Sequence, residues 1–174
     1  MDKTGFLERM RVGRQRLNEA LSGLTEDQIA NDLVTPQWAL RDLLAHLAAW
    51  QGEALRWVEQ AAHGEEIGPL INQSVDEWNA HRVAERRRLP VVEVMQEFNE
   101  NHDHLLAALE QWPADAAPLG PDGWNETANL WWLTEHDEEH LPMILDYRRR
   151  LAASASSATD REPSSENSQS ETGK

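Results

Sequence analysis

Residues 133–147 read LTEHDEEHLPMILDY. At the helical repeat of 3.6 residues per turn, Leu133, His136, His140, Ile144 and Tyr147 share one face. The stretch therefore reads as a helix whose apolar stripe carries two imidazoles one turn apart. Histidine usually avoids full burial, and a buried ring needs partners for both nitrogens. Two arrangements meet that need: a pair of hydrogen-bonded core histidines, or a His-x-x-x-His half-site for a divalent metal.

The same periodicity extends outward from this segment. Leu7, Met10, Leu17, Leu21 and Leu24 form the stripe of a first helix. A second runs from about Trp38 to His63, with Leu40, Leu43, Leu44, Leu47, Ala54 and Trp57 or Val58 inward, and Gly64 as its stop. Thr35-Pro36 suits its start. A third opens at Pro90 and ends at Pro113, with Val91, Val94, Met95, Phe98, Leu105, Leu109 and Trp112 inward. The fourth spans about Asn125 to Leu151. Thr25 with Gln28 and Ser74 with Glu77 match capping boxes, the latter opening a short helix to about Arg88. No segment alternates with period two. The pattern predicts an all-α fold, a four-helix bundle with an extra short helix in the connection between helices two and three. Residues 1–151 form the expected domain. Residues 152–174 are Ser-rich, acidic and poor in large apolar groups, which predicts a disordered tail.

Composition narrows the chemistry. The 174-residue chain has no cysteine, so disulfides, thiolate ligands and a cysteine nucleophile are excluded. Any metal must be held by His, Asp or Glu, and any thiol must arrive with a substrate. No apolar run reaches the length of a membrane span, and residues 1–6 lack a signal-peptide layout. These features predict a cytoplasmic protein with no membrane partner. The formal net charge of −15 predicts no nucleic-acid partner, because phosphate backbones repel such a surface. The expected partner is a small-molecule substrate, with a homodimer permitted. The eight tryptophans supply either core bulk or the aromatic wall of a pocket.

His46 falls between Leu43 and Trp50 on the inward face of the second helix. It lies about eight residues, or roughly 12 Å, from the helix start, and His136 and His140 lie near the middle of a helix of similar length. The levels can match whether the two helices run parallel or antiparallel, so His46 is the third candidate ligand. Three protein ligands leave a coordination position open, as catalytic zinc sites require. Trp50, Trp57 and His102 are candidates for the pocket wall, and Glu53 is the first candidate for a general base. Asp42, Glu53 and Glu139 are candidate acceptors for the ligands' free ring N–H groups, or plain surface charge. His104, His81 and His63 read as surface or helix-end residues. Pro142 frees the Glu138 carbonyl and predicts a bend just past the His pair.

The stretch WALRDLLAHL, from Trp38 through Leu47 and containing His46, resembles the second-helix signature of the DinB/YfiT-like superfamily, and His136-x-x-x-His140 resembles its second motif. The stretch VDEWN, residues 75–79, is similar to the branch that includes the ClbS/DfsB-type colibactin-resistance proteins. The likeness covers roughly residues 5–150. It implies a four-helix bundle in which His46, His136 and His140 hold a metal. It further implies thiol-dependent transfer or isomerisation, as in the mycothiol-dependent maleylpyruvate isomerases, or the opening of a reactive cyclopropane, as in ClbS-type members. Against the isomerases the residues given predict one domain and not two, and Ala39 stands where a capping Ser or Thr is common.

Two functional expectations follow. One is a divalent-metal-dependent enzyme, with zinc or nickel, acting on a small electrophile by thiol transfer or hydrolytic detoxification, with a low-molecular-weight thiol as co-substrate in the first case. The other is a non-enzymatic bundle in which metal or buried histidines only stabilise the fold.

Overall fold

The computed structural model describes residues 2–65, 71–112, 130 and 132–159. Its helices are α1 (Lys3–Leu21), α2 (Glu26–Asn31), α3 (Leu40–Ala62), α4 (Val75–Arg86), α5 (Val91–Gln111) and α6 (Leu133–Thr159). The long helices α1, α3, α5 and α6 make the bundle, with α3 lying along α5 and α1 along α6. α4 is the short helix expected between the second and third of them, and it packs on α3. Extended backbone pairs in one place among the described residues, an isolated bridge between Leu33 and Ala39. The fold is all-α.

Local chemistry sets the helix ends. At α2 the capping box is reciprocal: Gln28 N–H donates to Thr25 Oγ1 at 3.2 Å and Thr25 N–H to Gln28 Oε1 at 2.8 Å. At α4 it is not. Glu77 N–H donates to Ser74 Oγ, but the Ser74 hydroxyl donates onward to the Glu77 carboxylate at 2.9 Å. The start of α3 departs from expectation. Thr35 Oγ1 accepts from the N–H groups of Gln37 and Trp38, which holds Thr35 to Trp38 in a turn, and the helix begins at Leu40. Ala39 has no capping side chain, so Asp42 takes the Ala39 N–H at 3.1 Å. Gly64, at φ 71°, ends α3 in the left-handed conformation that glycine adopts freely.

α6 continues through Thr159, eight residues past the expected domain end at Leu151. The hydroxyls of Ser154 and Ser156 donate to the carbonyls of Arg150 and Ala152, one turn back, so these serines join the helix instead of competing with it. Residues 160–174, the loop expected near residues 113–123 and the expected helix start at Asn125 lie outside the described residues.

The apolar core forms two clusters. One gathers Leu17, Leu43, Leu47, Phe98 and Ile144; the other gathers Phe6, Met10, Trp57, Leu105 and Leu133. Each long helix crosses from one cluster to the other, and at the crossing each buries polar groups: Arg14 on α1, Gln51 on α3, His102 on α5, and His136 with Asp137 on α6. The bundle is therefore two oily halves separated by a polar layer, and the candidate site lies in that layer. α3 and α5 approach closely at Gly52. A Cβ there would stand 2.8 Å from Asn101 Nδ2, whose amide donates to the Ala48 carbonyl.

Candidate metal centre

His46 comes from α3, and His136 and His140 from successive turns of α6. Their Nε2 atoms converge: His46 Nε2 lies 3.1 Å from His136 Nε2 and 3.2 Å from His140 Nε2. The three rings meet edge to face, with centroids 4.9–5.0 Å apart. Ligands about 2.0–2.1 Å from a tetrahedral zinc ion stand roughly 3.3–3.4 Å from one another, so the spacing fits such an ion with little movement. The chemistry of the donors fits as well. Burial drives the pKa of His46 down to about 3 and that of His136 to about 2, with neighbouring imidazoles adding to the effect. His140 is lowered by burial too. The rings are neutral at pH 7, the state a metal requires. The Nδ1 atoms of all three are buried with no partner among the described residues. Any proton placed on Nε2 to hydrogen-bond one neighbour leaves the third ring facing lone pairs. A cation at the point of convergence resolves that conflict for all three.

The same burial predicts acid lability. His46, His102 and His136 have folded pKa values of about 3, 3 and 2, against 6.5 when exposed. Below pH 6.5 the unfolded chain takes up protons that the folded chain refuses, so stability present above 6.5 is lost as pH falls towards 3. At about 1.4 kcal/mol per pH unit and proton, each of the three removes roughly 2 kcal/mol by pH 5. The sum approaches the whole stability of an ordinary domain, about 5–15 kcal/mol. Thermal melts of metal-free protein should show a steep fall in Tm between pH 6.5 and 5. A flat profile over that interval would mean these rings are hydrated in solution.

Tryptophans surround the triad. Trp38 lies 5.0 Å from the His46 ring and Trp132 5.2 Å from the His136 ring. Trp50 stacks on Trp78 at 4.1 Å and meets Trp132 edge to face at 5.4 Å. The Trp50 Nε1–H donates to Asn79 Oδ1 at 2.8 Å, which brings α4 over this side of α3.

The other expected site residues are placed elsewhere. Trp57 is buried in the apolar cluster with Phe6 and Leu105, not in the Trp50 wall. His102 is buried beside Arg14 and lines a surface cleft with Arg11, Gln15 and Asn18. It shares the inward face of α5 with Phe98 and Leu105, but inward on α5 at that level means towards α1. Glu53 is ion-paired with Arg56 one turn on and faces a cleft of about 430 Å³ with Ile71 and Trp78. Asp42 accepts from Arg87 Nε and Nη2, both at 2.9 Å, as well as capping α3. Glu139 is exposed. None of these three carboxylates accepts from a ligand ring.

One group was not anticipated. Arg14, 5% exposed, donates from Nε to Asp137 Oδ2 at 3.0 Å, from Nη1 to the Phe98 carbonyl at 2.7 Å and from Nη2 to Gln51 Oε1 at 2.6 Å. Gln51 Nε2 closes the ring by donating to Asp137 Oδ1 at 3.1 Å. The guanidinium also stacks 3.6 Å from the Phe98 ring centroid. Four helices are tied at one point beside the triad. The signal was available: Arg14 stands in the apolar stripe of α1 between Met10 and Leu17, and Asp137 follows His136 directly.

The structure is an all-helical bundle with three converging histidines, and the sequence says which family of bundles it belongs to. Residues 10–142 match the mycothiol maleylpyruvate isomerase N-terminal domain, and the chain belongs to that family, within the DinB/YfiT-like superfamily. No curated protein matches the chain by sequence. Among solved structures, it is similar to the colibactin self-resistance protein ClbS in complex with a dsDNA, with TM-score 0.64 and 17% identity over 87% of this chain and 94% of that one. It is also similar to the mycothiol-dependent maleylpyruvate isomerase, with TM-score 0.61 and 17% identity over 84% of this chain. The chain spans 59% of that isomerase. At such identity the likeness is one of fold.

The ClbS complex corrects one expectation. Nucleic acid was excluded on net charge, yet a protein of this fold has been crystallised with double-stranded DNA. A phosphate backbone responds to charge within a Debye length, about 8–10 Å, and not to the sum over a chain. Basic groups do meet at one place, where Arg86 is ion-paired with Glu97 and Arg87 with Asp42. Arg41 donates to the carbonyls of Arg86, Arg87 and Leu89, so Arg41 and the Arg86–Arg88 run meet where α4 ends against α3. No described helix is long and apolar enough to cross a membrane.

Proposed function

We propose that the chain is a divalent-metal-dependent enzyme that uses a low-molecular-weight thiol to modify a small electrophile. The observation that carries this reading is the convergence of three neutral imidazoles, two buried and one half-buried, with their Nε2 atoms at one point walled by Trp50 and Trp132. His46, His136 and His140 would hold the ion, with zinc and nickel both suited to imidazole. A divalent ion there supplies Lewis acidity that lowers the pKa of a nucleophile on its open side. With no cysteine in the chain, a thiol nucleophile must be a co-substrate. Membership of the isomerase family supports the thiol over water, and water would turn the same site to hydrolysis. The tryptophan wall favours an electrophile with an apolar or planar body.

Elemental analysis of purified protein should find one equivalent of metal. Thiol consumption with a panel of electrophiles should be metal-dependent and absent after chelation. Equal rates from stripped and loaded protein would defeat the reading. A purely structural ion would show a fourth protein ligand closing the site, which X-ray absorption spectroscopy would detect as four protein ligands and no exchangeable one.

A second reading, contact with duplex DNA, is supported by the likeness to ClbS in its DNA complex. Anisotropy of a labelled duplex at several salt concentrations tests it. Binding should weaken with salt and with Arg88→Glu.

A further inference from the structure

Histidines that hold a metal usually donate their other ring N–H to a carboxylate or a carbonyl, and that partner offsets part of the ion's charge. Among the described residues, none of the three rings here has such a partner. The Nε2 atoms of His46, His136 and His140 meet, and each Nδ1 is buried with no acceptor. No described carboxylate joins the three nitrogens either. The acids nearest to them in sequence are committed elsewhere: Asp42 to Arg87, Glu53 to Arg56 and Asp137 to Arg14. Glu139 is exposed. Aromatic rings lie against the ligands instead, Trp38 beside His46 and Trp132 beside His136. The triad therefore offers three neutral donors in largely apolar surroundings and brings no negative charge.

We propose that His46, His136 and His140 form a site without counter-charge, which takes up a divalent ion together with an anion, so that the open position selects an anionic sulfur or oxygen ligand over a neutral one. This rests on the metal reading above and adds the charge of the co-ligand and its coupling to metal retention. A buried charge is costly unless an opposite charge accompanies it. The described residues supply none at this point, so the co-substrate must. A low-molecular-weight thiolate meets that need, and a thiol that keeps its proton does not. Coupling of this kind is reciprocal: whatever the ion adds to the anion's affinity, the anion adds to the ion's. Trp38 and Trp132 then act by exclusion, filling with indole the places where a carboxylate would weaken the demand for an anion.

Zinc affinity of the full chain tests this, measured by competition with a chromophoric chelator at constant ionic strength and corrected for complexes of free zinc. Sodium thiocyanate is the anionic probe, thiourea the neutral probe of similar size, and sodium perchlorate the inert salt. Thiocyanate should raise zinc affinity about tenfold over perchlorate, and thiourea by less than about twofold, a coupling within the usual span. Trp38→Glu places a negative charge near His46, and Trp38→Gln is its neutral counterpart. Both lose the indole alike, so their difference reads charge. In perchlorate the glutamate variant should bind zinc about tenfold more tightly than the glutamine variant, by direct attraction, and should gain less from thiocyanate. Equal zinc affinities in the two variants would show that the ion's charge is already balanced and would overturn the proposal. So would equal gains from thiocyanate and thiourea in the parent chain, a result that stands even where the Trp38 variants fail to fold. Absence of zinc binding by the parent under every condition would remove the metal reading and this inference together. Zinc binding indifferent to thiocyanate would remove this inference alone.

Discussion

Replacing His136 by alanine should lower zinc affinity on the order of 10²- to 10³-fold. Zinc held by a full set of protein ligands is bound by about 10–16 kcal/mol, and one imidazole of three or four accounts for roughly 3–4 kcal/mol of that. His46→Ala and His140→Ala should behave alike, because the three Nε2 atoms meet at one point and each contributes one bond. His63→Ala and His104→Ala should leave the affinity unchanged, since neither ring joins the cluster. Competition titration with a chromophoric chelator measures the constants. Differential melting supplies an independent readout. Zinc should raise the Tm of the parent chain, because it binds only the folded state, and should do little for the alanine variants. A variant lacking all three rings that still holds stoichiometric metal would show that the ion sits elsewhere.

The triad was legible in the sequence because helical phase determines which residues look inward. His136, His140 and His46 each occupied a position that their apolar neighbours marked as core. The partners of those faces were less legible. Phase says that His102 is buried but not against which helix, and the answer, α1, depends on how four cylinders are arranged. Asp42 illustrates a different limit. One turn before His46, it had the spacing of a ring acceptor, but the uncapped Ala39 N–H and the Arg87 guanidinium claimed it first. Its position matched a supporting role for the ligand, and its hydrogen bonds serve the helix start. The contact of Asn79 with Trp50 depends on where α4 docks, which no local pattern specifies. The start of α3 was misplaced because Thr35 can cap either a helix or a turn, and the Leu33–Ala39 bridge favours the turn. Net charge could not exclude nucleic acid, because it sums over a whole surface and a phosphate backbone meets only one part of it.

Asp137→Ala should produce the largest loss of stability of any single change beside the site. The variant would leave the Arg14 guanidinium buried without its countercharge and Gln51 Nε2 without its acceptor. Burial pulls the Arg14 pKa down and pushes the Asp137 pKa up, so each charge is stabilised chiefly by the other. Breaking such a pair from one side costs about 3–5 kcal/mol. At 2–4 °C per kcal/mol for a chain of this size, the Tm should fall by about 10 °C. The double variant Arg14→Met, Asp137→Leu removes both charges and fills the volume with apolar groups, so it should recover the part of that loss due to the unpaired charge, while the buried Gln51 amide stays unpaired. The two variants part company from stability at the metal. Asp137 follows His136 on α6, and its carboxylate is held from α1 by Arg14 and from α3 by Gln51, so the pair fixes the rotation of α6 relative to the helix that carries His46. The double variant, though partly restored in stability, has lost that hold and should bind zinc about tenfold more weakly than the parent, in the range seen when groups that orient ligands are removed. Zinc titration well below the melting transition separates the two effects. Parent-like zinc affinity in the double variant would show that the network serves stability alone and that packing around Ile144 and Leu133 suffices to aim the histidines.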